Sequence, residues 1–159
     1  PGTRGELVYF ISHNIARREL VDGRWQWVHR KGATRALPAG HSELQGTHFA
    51  DTGHPILLPG NPRDGSSVMV AEGGSQRTAY SVNHGAGRRL SRSEAKGLLN
   101  RNEVEQSLAA SGVLSNRCQY PIDEAPDAYK DFQEVLQSVH KAGLASEVAR
   151  LKAVFVIKD

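Results

Sequence analysis

The chain has 159 residues, of which 38% are hydrophobic and 23% are charged, as expected for one globular domain. It contains no run of the ~18 apolar residues that a membrane-spanning helix needs, so no such helix is expected. Its single cysteine, Cys118, excludes an intramolecular disulfide framework and fits a reducing compartment, which predicts a cytoplasmic protein. The net charge of +3 is compatible with a partner that carries phosphate groups.

The first half of the sequence reads as one helix followed by several strands. The chain begins at Pro1 and enters an apolar pattern at once, so we expect it to be part of a longer protein. Residues 6–20 have apolar side chains at helical spacing and end at Asp22-Gly23, which predicts a helix. The strands are predicted at 24–29, 55–58, 67–71 and 78–82, with a glycine- and proline-containing loop at 30–53.

The second half reads as helices followed by one strand. Ser91-Arg92-Ser93-Glu94 matches a capping box, in which the serine and glutamate side chains satisfy backbone N–H groups at a helix start. The predicted elements are helices at 93–99, 103–110 and 128–141 and a buried strand at 149–157. This order favours an α+β fold, with a mixed β-sheet and several helices, over regular βαβ alternation.

A glycine-containing turn at residues 84–88 is the first segment that could carry chemistry. His84-Gly85-Ala86-Gly87-Arg88 follows a predicted strand and precedes the capped helix. Small residues let the backbone approach a ligand closely, and a helix N-terminus attracts anions. A histidine here could act on a phosphate as nucleophile, acid or ligand. The alternative is a tight turn with a capping histidine, and the short motif favours neither.

Four other places in the sequence have weaker signals. Residues 59–66 form a loop that could hold a nucleotide, although an ordinary hairpin turn is the commoner outcome. Residues 29–35 contain three cations, which suit phosphate groups but are also typical of a solvated loop. His13 lacks a partner at i+3 or i+4, so any metal bound there needs ligands from elsewhere. Asp123-Glu124 could hold a divalent cation, but paired acids beside a proline usually mark a helix entry or a loop.

Taken together and in order, these blocks resemble the RtcB family of RNA ligases. The resemblance is carried by His13-Asn14 and by residues 29–36, 59–66, 84–92, 123–131 and 156–158. It begins near residue 7, runs to the last residue, and covers only the C-terminal part of such a protein. The resemblance implies that residues 1–159 are the C-terminal portion of a single catalytic domain with an RtcB-like fold.

The resemblance also implies an activity and a set of site residues. In this family the enzyme joins RNA ends carrying a 2′,3′-cyclic phosphate or a 3′-phosphate to 5′-hydroxyl ends, using GTP and Mn²⁺. The resemblance places the guanylylated nucleophile at His84 and a manganese ligand at His13. The implied nucleotide-binding residues are Asn14, Pro59, Gly60, Asn61, Ser66, His84, Gly85, Ala86, Gly87 and Lys158, and the implied RNA- or phosphate-binding residues are Arg30, Lys31 and Arg35.

Departures from the family pattern leave alternatives open. Pro62 and Leu90 stand where methionine is common, and the chain ends Lys158-Asp159 where many members end Lys-Gly. The family's other metal ligands, a cysteine, an aspartate and two histidines, belong to an upstream part of the polypeptide, and Cys118 is in a different context. The segment alone is therefore expected to be inactive in ligation, and the need for an activating protein partner stays open.

The sequence leaves one other function class open and disfavours another. A non-catalytic guanine-nucleotide or RNA-binding module that retains part of the ligase fold is the alternative. Such a module would keep its RNA affinity when His84 is replaced by alanine, whereas a working enzyme needs His84. A metal-dependent phosphohydrolase is disfavoured, because the sequence lacks the clusters of acidic residues and histidines that it requires.

Overall fold

The structure, a computed structural model, describes residue 2 and residues 4–115 and 120–157. Over these residues the chain forms nine β-strands, three α-helices and several short 3₁₀ turns, which confirms the predicted α+β class. The strands are distributed over four small sheets rather than one mixed sheet.

The N-terminal part of the fold is a β-hairpin, and the predicted helix at 6–20 is wrong. Strand β1 (Asn14–Val21) pairs antiparallel with strand β2 (Arg24–Lys31). Asp22 and Gly23 between them both have positive φ, 49° and 74°, as in the two-residue turns whose twist matches a hairpin. Pairing along the whole length of both strands outweighs the helical spacing of the apolar residues. His13 therefore lies at the open end of a hairpin and not within a helix.

The other strands form three sheets. Strand β3 (Ala33–Arg35) lies inside the predicted loop and pairs antiparallel with β6 (Ser81–Asn83). A three-stranded antiparallel sheet contains β4 (Pro55–Asn61), β5 (Gly65–Ala71) and β8 (Ala145–Leu151), in that order. The last pair is parallel and joins β7 (Leu114–Ser115) with β9 (Phe155–Val156). The predicted strands at 24–29, 55–58 and 67–71 are confirmed.

Two strand predictions need correction. The strand predicted at 78–82 is reduced to β6, because a 3₁₀ turn at Gly73–Thr78 is followed by two residues with positive φ, Ala79 and Tyr80. The buried strand predicted at 149–157 is instead the end of β8 and the separate β9. Most side chains of β8 are exposed, because this strand lies at the edge of its three-stranded sheet.

The helices follow the predicted order. They are α1 (Arg92–Leu98), α2 (Arg101–Ala110) and α3 (Phe132–Lys141). The capping box at Ser91 and Glu94 is confirmed, since both reciprocal hydrogen bonds form. Helix α3 begins later than predicted, because Pro126–Ala128 forms its own 3₁₀ turn and the Asp131 side chain then caps the helix. No described helix has both the length and the apolar character needed to cross a membrane.

The main hydrophobic core lies between the three-stranded sheet and helix α3. Ile56, Leu58 and Met69 of the sheet pack with Phe132 and Leu136 of the helix, all almost fully buried. A smaller cluster beneath α2 contains Val104, Leu108, Tyr120 and Ala125. Burial of this apolar area is the main stabilising contribution to the fold. Val82 and Ala86 belong to the main core as well, so the glycine-containing turn is fixed to the sheet.

Candidate functional site

Two histidines that are 71 positions apart in the sequence stack on each other. The imidazole rings of His13 and His84 are nearly parallel, at 7°, with their centroids 4.0 Å apart. Gly32 joins their backbones, because its N–H donates to the carbonyl of His13 (2.9 Å) and its carbonyl accepts from the N–H of His84 (3.0 Å). Gly32 has a φ of +71°, a conformation that favours glycine. The hairpin and the β3–β6 pair are thus connected at one residue.

The environment of His84 favours a neutral ring. Burial lowers the pKa of the His84 imidazole, and the neighbouring His13 lowers this pKa further. Two protonated imidazoles in a stack would repel each other, so the pair disfavours double protonation. The Nδ1 atom of His84 is buried and makes no hydrogen bond within the described part of the chain. The neutral imidazole is the form that can act as a nucleophile, because one of its ring nitrogens keeps a free electron pair.

The glycine-containing turn is tied to the loop at residues 59–66. The N–H of Ala86 donates to the carbonyl of Pro59 (3.1 Å). A Cβ on Gly60 would come within 2.7 Å of the Gly65 carbonyl oxygen and 2.8 Å of the Phe132 ring. Glycine is therefore required at position 60 by close packing, which holds the loop against helix α3.

A cavity of about 270 Å³ lies at the 59–66 loop. Pro59, Gly60, Asn61 and Ser66 line it, and so do Tyr120, Glu124 and Tyr129. Asn61 shapes the loop through its side chain, since its Oδ1 accepts from two backbone N–H groups and its Nδ2 donates to Asp64 (2.6 Å). Four of the residues implied by the resemblance therefore line one cavity.

The glycine-containing turn also lines a larger cleft of about 800 Å³. Gly85, Ala86 and Gly87 form one part of its wall. Two cations, Arg89 and Lys130, lie along the cleft, and so do two acidic residues, Asp131 and Glu134. Open backbone beside cationic side chains is an arrangement that accommodates phosphate groups.

The sequence predicts no role for the two tyrosines of the smaller cavity, Tyr120 and Tyr129, and for Glu124 it suggests only the divalent-cation interpretation. The Tyr129 hydroxyl donates to Glu124 at 2.5 Å, and the Arg88 guanidinium lies over the Tyr129 ring at 5.2 Å. Burial and this hydrogen bond raise the pKa of Tyr129 to about 12, so the phenol stays protonated. The order of residues 123–131 contributes to the family resemblance, but only the fold shows that these residues face the loop at 59–66, about 60 positions earlier in the sequence.

The acidic pair at Asp123-Glu124 is engaged with arginines. Arg92 lies 2.7 Å from a carboxylate oxygen of each acid, and Arg88 lies 3.6 Å from Glu124. The hydrogen bond from Arg92 holds the pKa of the Asp123 carboxyl below its usual range. The carboxylates thus act as anchors for the arginines of residues 88–92. The divalent-cation interpretation of this pair finds no support, because the described residues contain no group of three side chains that could ligate a metal.

The three basic residues at 30–35 occupy different environments. Arg30 is only 3% exposed and forms a bidentate ion pair with Glu19. Arg35 lies within 3.1 Å of Glu19 and 2.5 Å of Glu43. Lys31 is exposed at the end of β2, opposite Asn14. The structure therefore directs Lys31 toward solvent and the two arginines toward carboxylates of the fold.

The structure brings most of the expected site residues into two groups. His13, His84 and the turn that follows form one group, and the cavity residues at 59–66 form the other. Asn14 is exposed at the start of β1, directly after His13. Lys158, the remaining nucleotide-binding prediction, lies outside the described residues, as does Cys118.

Comparison with known proteins supports the same family. The profile of the family described as "tRNA-splicing ligase RtcB" matches residues 1–159. The tRNA-splicing ligases RtcB of Aeropyrum pernix and Nanoarchaeum equitans are each 41% identical over 160 residues, which cover 96% of this chain and 33% of each relative. The RNA-splicing ligase RtcB of Mycobacterium tuberculosis is 39% identical over 163 residues, covering 99% of this chain and 37% of the relative.

The extent of these matches agrees with the resemblance to the C-terminal part of a longer protein. The chain spans about a third of the length of the curated relatives it matches. The match to the family profile nevertheless extends over every residue of the chain. The chain belongs to the RtcB family of tRNA-splicing ligases.

Proposed function

We propose that the polypeptide carrying this chain is an RNA ligase that uses GTP and forms a guanylate on His84. Its substrates would be RNA ends with a 2′,3′-cyclic phosphate or 3′-phosphate and RNA ends with a 5′-hydroxyl. The observation that carries the proposal is the His13–His84 stack at 4.0 Å, at the start of a glycine-containing turn. Membership of a family named for RNA ligation supports the substrate class.

The first step is attack by His84 on the α-phosphorus of GTP. Because Nδ1 is buried, we assign the attack to Nε2 of the neutral imidazole. A nitrogen–phosphorus bond forms, the bond from the α-phosphorus to its bridging oxygen breaks, and pyrophosphate leaves with the electron pair. The lowered pKa of His84 maintains the neutral nucleophile at neutral pH.

Two further transfers complete the ligation. An oxygen of the RNA 3′-phosphate attacks the guanylate phosphorus, and the nitrogen–phosphorus bond breaks to return His84. The 5′-hydroxyl of the second strand then attacks the 3′-phosphate, a phosphodiester forms, and GMP leaves. A cyclic phosphate must first be opened by water. The cations Arg89 and Lys130 along the larger cleft would offset the charge of the phosphates involved.

The chain's own residues shape the nucleotide site. Gly85 and Gly87 allow the backbone to approach the phosphates, and the cavity at 59–66 offers the Tyr129 ring and polar groups to the base. Its volume of about 270 Å³ suits a purine base more than a whole nucleotide. We therefore propose that the base occupies this cavity and that the phosphates lie along the turn.

Manganese belongs to this proposal only through the resemblance. No three metal-ligating side chains come together within the residues that the structure describes, whereas Mn²⁺ requires several ligands. His13 would supply one imidazole, and the remaining ligands would come from the part of the relatives that this chain does not cover.

Intact mass measurement after incubation with GTP and Mn²⁺ tests the proposal. The chain is measured alone and fused to the part of the Aeropyrum pernix relative that it does not cover, beside a His84→Ala variant. We expect one guanylate adduct on the fusion, stable to denaturation and lost in His84→Ala. If no adduct forms on the fusion while GTP still binds, the ligase proposal fails and a nucleotide-binding module replaces it.

A further inference from the structure

One face of the β1–β2 hairpin is exposed along its whole length. Strand pairing places Asn14, Ala16, Arg18 and Leu20 of β1 beside Lys31, His29, Trp27 and Trp25 of β2, and all eight side chains are exposed. We call these eight residues the hairpin face. The opposite face contains Glu19, Val21 and Arg30, which are buried against the rest of the fold.

The hairpin face combines aromatic and cationic side chains. Trp25 and Trp27, the chain's two tryptophans, are 63% and 67% exposed. Their spacing of two residues places the rings on the same side of the strand, about 7 Å apart along it. The Arg18 guanidinium lies 5.1 Å from the centre of the Trp25 ring. The face includes two cations and no carboxylate.

The hairpin face leads directly to the stacked histidines. Its inner end is the Asn14–Lys31 pair, which is adjacent in sequence to His13 and Gly32. Gly32 hydrogen-bonds both His13 and His84. Trp27 is four residues further along β2 from Lys31, or about 13 Å. A single RNA strand that lies on this face would therefore bring one of its ends to His84, the candidate nucleophile.

We infer that the hairpin face binds unpaired RNA and guides one RNA end toward His84. Flat aromatic rings stack with bases of any sequence, and neighbouring cations bind the backbone phosphates. The absence of carboxylates on the face complements a polyanion. This inference rests on the proposed function in one respect, namely that RNA is the substrate of the site.

Tryptophan emission tests the inference, because both tryptophans of the chain lie on this face. The 159-residue chain is titrated with a short single-stranded RNA carrying a 3′-phosphate, and binding is followed in parallel by anisotropy of labelled RNA. We expect quenching that saturates together with the anisotropy, and much less quenching by a blunt duplex of the same sequence. Binding to the single strand without a change in emission would overturn the inference.

Substitutions identify the side chains responsible. Trp25→Ala and Trp27→Ala are each expected to weaken RNA binding about tenfold, whereas Trp25→Phe retains most of the affinity. Lys31→Gln should reduce the slope of log affinity against log salt by about 0.7. Val148→Ala, at an exposed apolar residue of β8, is the matched control and should bind RNA as the unchanged chain does. Equal affinity for Trp27→Ala and Val148→Ala would contradict the inference.

Three outcomes separate this inference from its alternatives. RNA-dependent quenching without a guanylate adduct on the fusion would leave the hairpin face as an RNA-binding surface and remove the ligase proposal. An adduct without quenching would overturn the inference alone. Tryptophan emission that does not change with RNA but shifts to shorter wavelength in the fusion would also overturn the inference. It would assign the hairpin face to a contact with protein.

Discussion

Arg30 and Glu19 form a bidentate ion pair in the interior, across the two strands of the hairpin. Their nitrogen–oxygen distances are 2.9 and 2.7 Å, and both residues are less than 5% exposed. Arg30 also donates to the Ser81 hydroxyl and to the carbonyl of Ala79. The guanidinium therefore fastens the hairpin to the segment that leads into β6 and His84.

Replacing Arg30 is expected to destabilise the chain. Arg30→Met leaves the Glu19 carboxylate buried without its main partner, which typically costs about 3–5 kcal/mol in the free energy of unfolding. Lys31→Met, at the exposed neighbouring position, is the control and should change this free energy by less than about 0.5 kcal/mol. Urea denaturation measures both values. A similar small change in both variants would show that the ion pair contributes little to stability.

The same pair shows why the role of a basic cluster cannot be read from sequence. Arg30, Lys31 and Arg35 are close in sequence, and all three suit a phosphate partner by residue type. The alternation of a β-strand directs Arg30 and Lys31 to opposite faces, and Glu19 becomes a partner only when the hairpin closes. The spacing of apolar residues over 6–20 predicts a helix, so neither the hairpin nor its register follows from that pattern.

The hairpin itself could have been predicted from Asp22-Gly23. This dipeptide between two β-forming segments is a strong short-range hairpin signal, although it also fits the end of a helix. Apolar residues at 7, 10, 11 and 15 satisfy helical spacing, but Leu7 and Phe10 are exposed in the fold. Periodicity alone does not show whether an apolar side is covered, and here pairing with β2 decides the structure of residues 14–21.

The motif residues of the site were predictable, whereas their contacts were not. Residues 59–66 and 84–87 were identified by their glycines and their order. These two segments are joined by a backbone hydrogen bond from Ala86 to Pro59. A backbone hydrogen bond requires no particular side chain, so the sequence of neither segment predicts it. The same holds for Tyr129, whose contribution to the cavity depends on where Pro126–Ala128 turns.

Acidification is expected to destabilise the chain through His54. Burial lowers the pKa of His54 from 6.5 to about 4, and its Nδ1 accepts a hydrogen bond from the N–H of Leu37. Between pH 6.5 and 4 the unfolded chain binds a proton that the folded chain does not. The stabilisation is therefore complete above pH 6.5 and declines as the pH falls toward 4. Because the His54 ring is only partly buried, solvent screening limits the total loss to about 1–2 kcal/mol.

Comparison with His54→Gln isolates this contribution. The groups whose charges act on His54, namely Arg35, Glu43, His41 and Arg17, are unchanged in the variant, so their contributions to stability largely cancel in the difference. Urea denaturation at a series of pH values should give a steeper loss of stability for the unchanged chain than for His54→Gln. Parallel curves would show that His54 titrates alike in both states.

The Tyr129 ring and hydroxyl are expected to have separable effects. The hydroxyl donates to Glu124, so Tyr129→Phe should lower the free energy of unfolding by about 1–2 kcal/mol. If the ring packs against the base of GTP, Tyr129→Phe retains nucleotide affinity, whereas Tyr129→Ala weakens it about tenfold. Calorimetric titration with GTP measures the affinities. Equal losses in the two variants would contradict a role for the ring.

Gly32 provides a test of whether the histidine stack matters for chemistry. Its φ of +71° strains any residue with a Cβ, although no atom lies within 4 Å of the added carbon. Gly32→Ala should therefore cost about 1–2 kcal/mol of stability and shift the backbone that connects His13 with His84. We expect adduct formation in the fusion protein to slow at least tenfold at a temperature where the variant is still folded.

Gly46→Ala is the matched control for this variant. Gly46 has a φ of +77° and equally open space around the added carbon, but neither of its backbone groups bonds a site histidine. Both variants should lose similar stability in urea denaturation, and only Gly32→Ala should lose the rate of guanylylation measured by intact mass. If the two variants keep the same rate, the spacing of His13 and His84 does not control the reaction. If both variants lose the rate of guanylylation equally, the loss follows from reduced stability, because Gly46→Ala has only the backbone strain in common with Gly32→Ala.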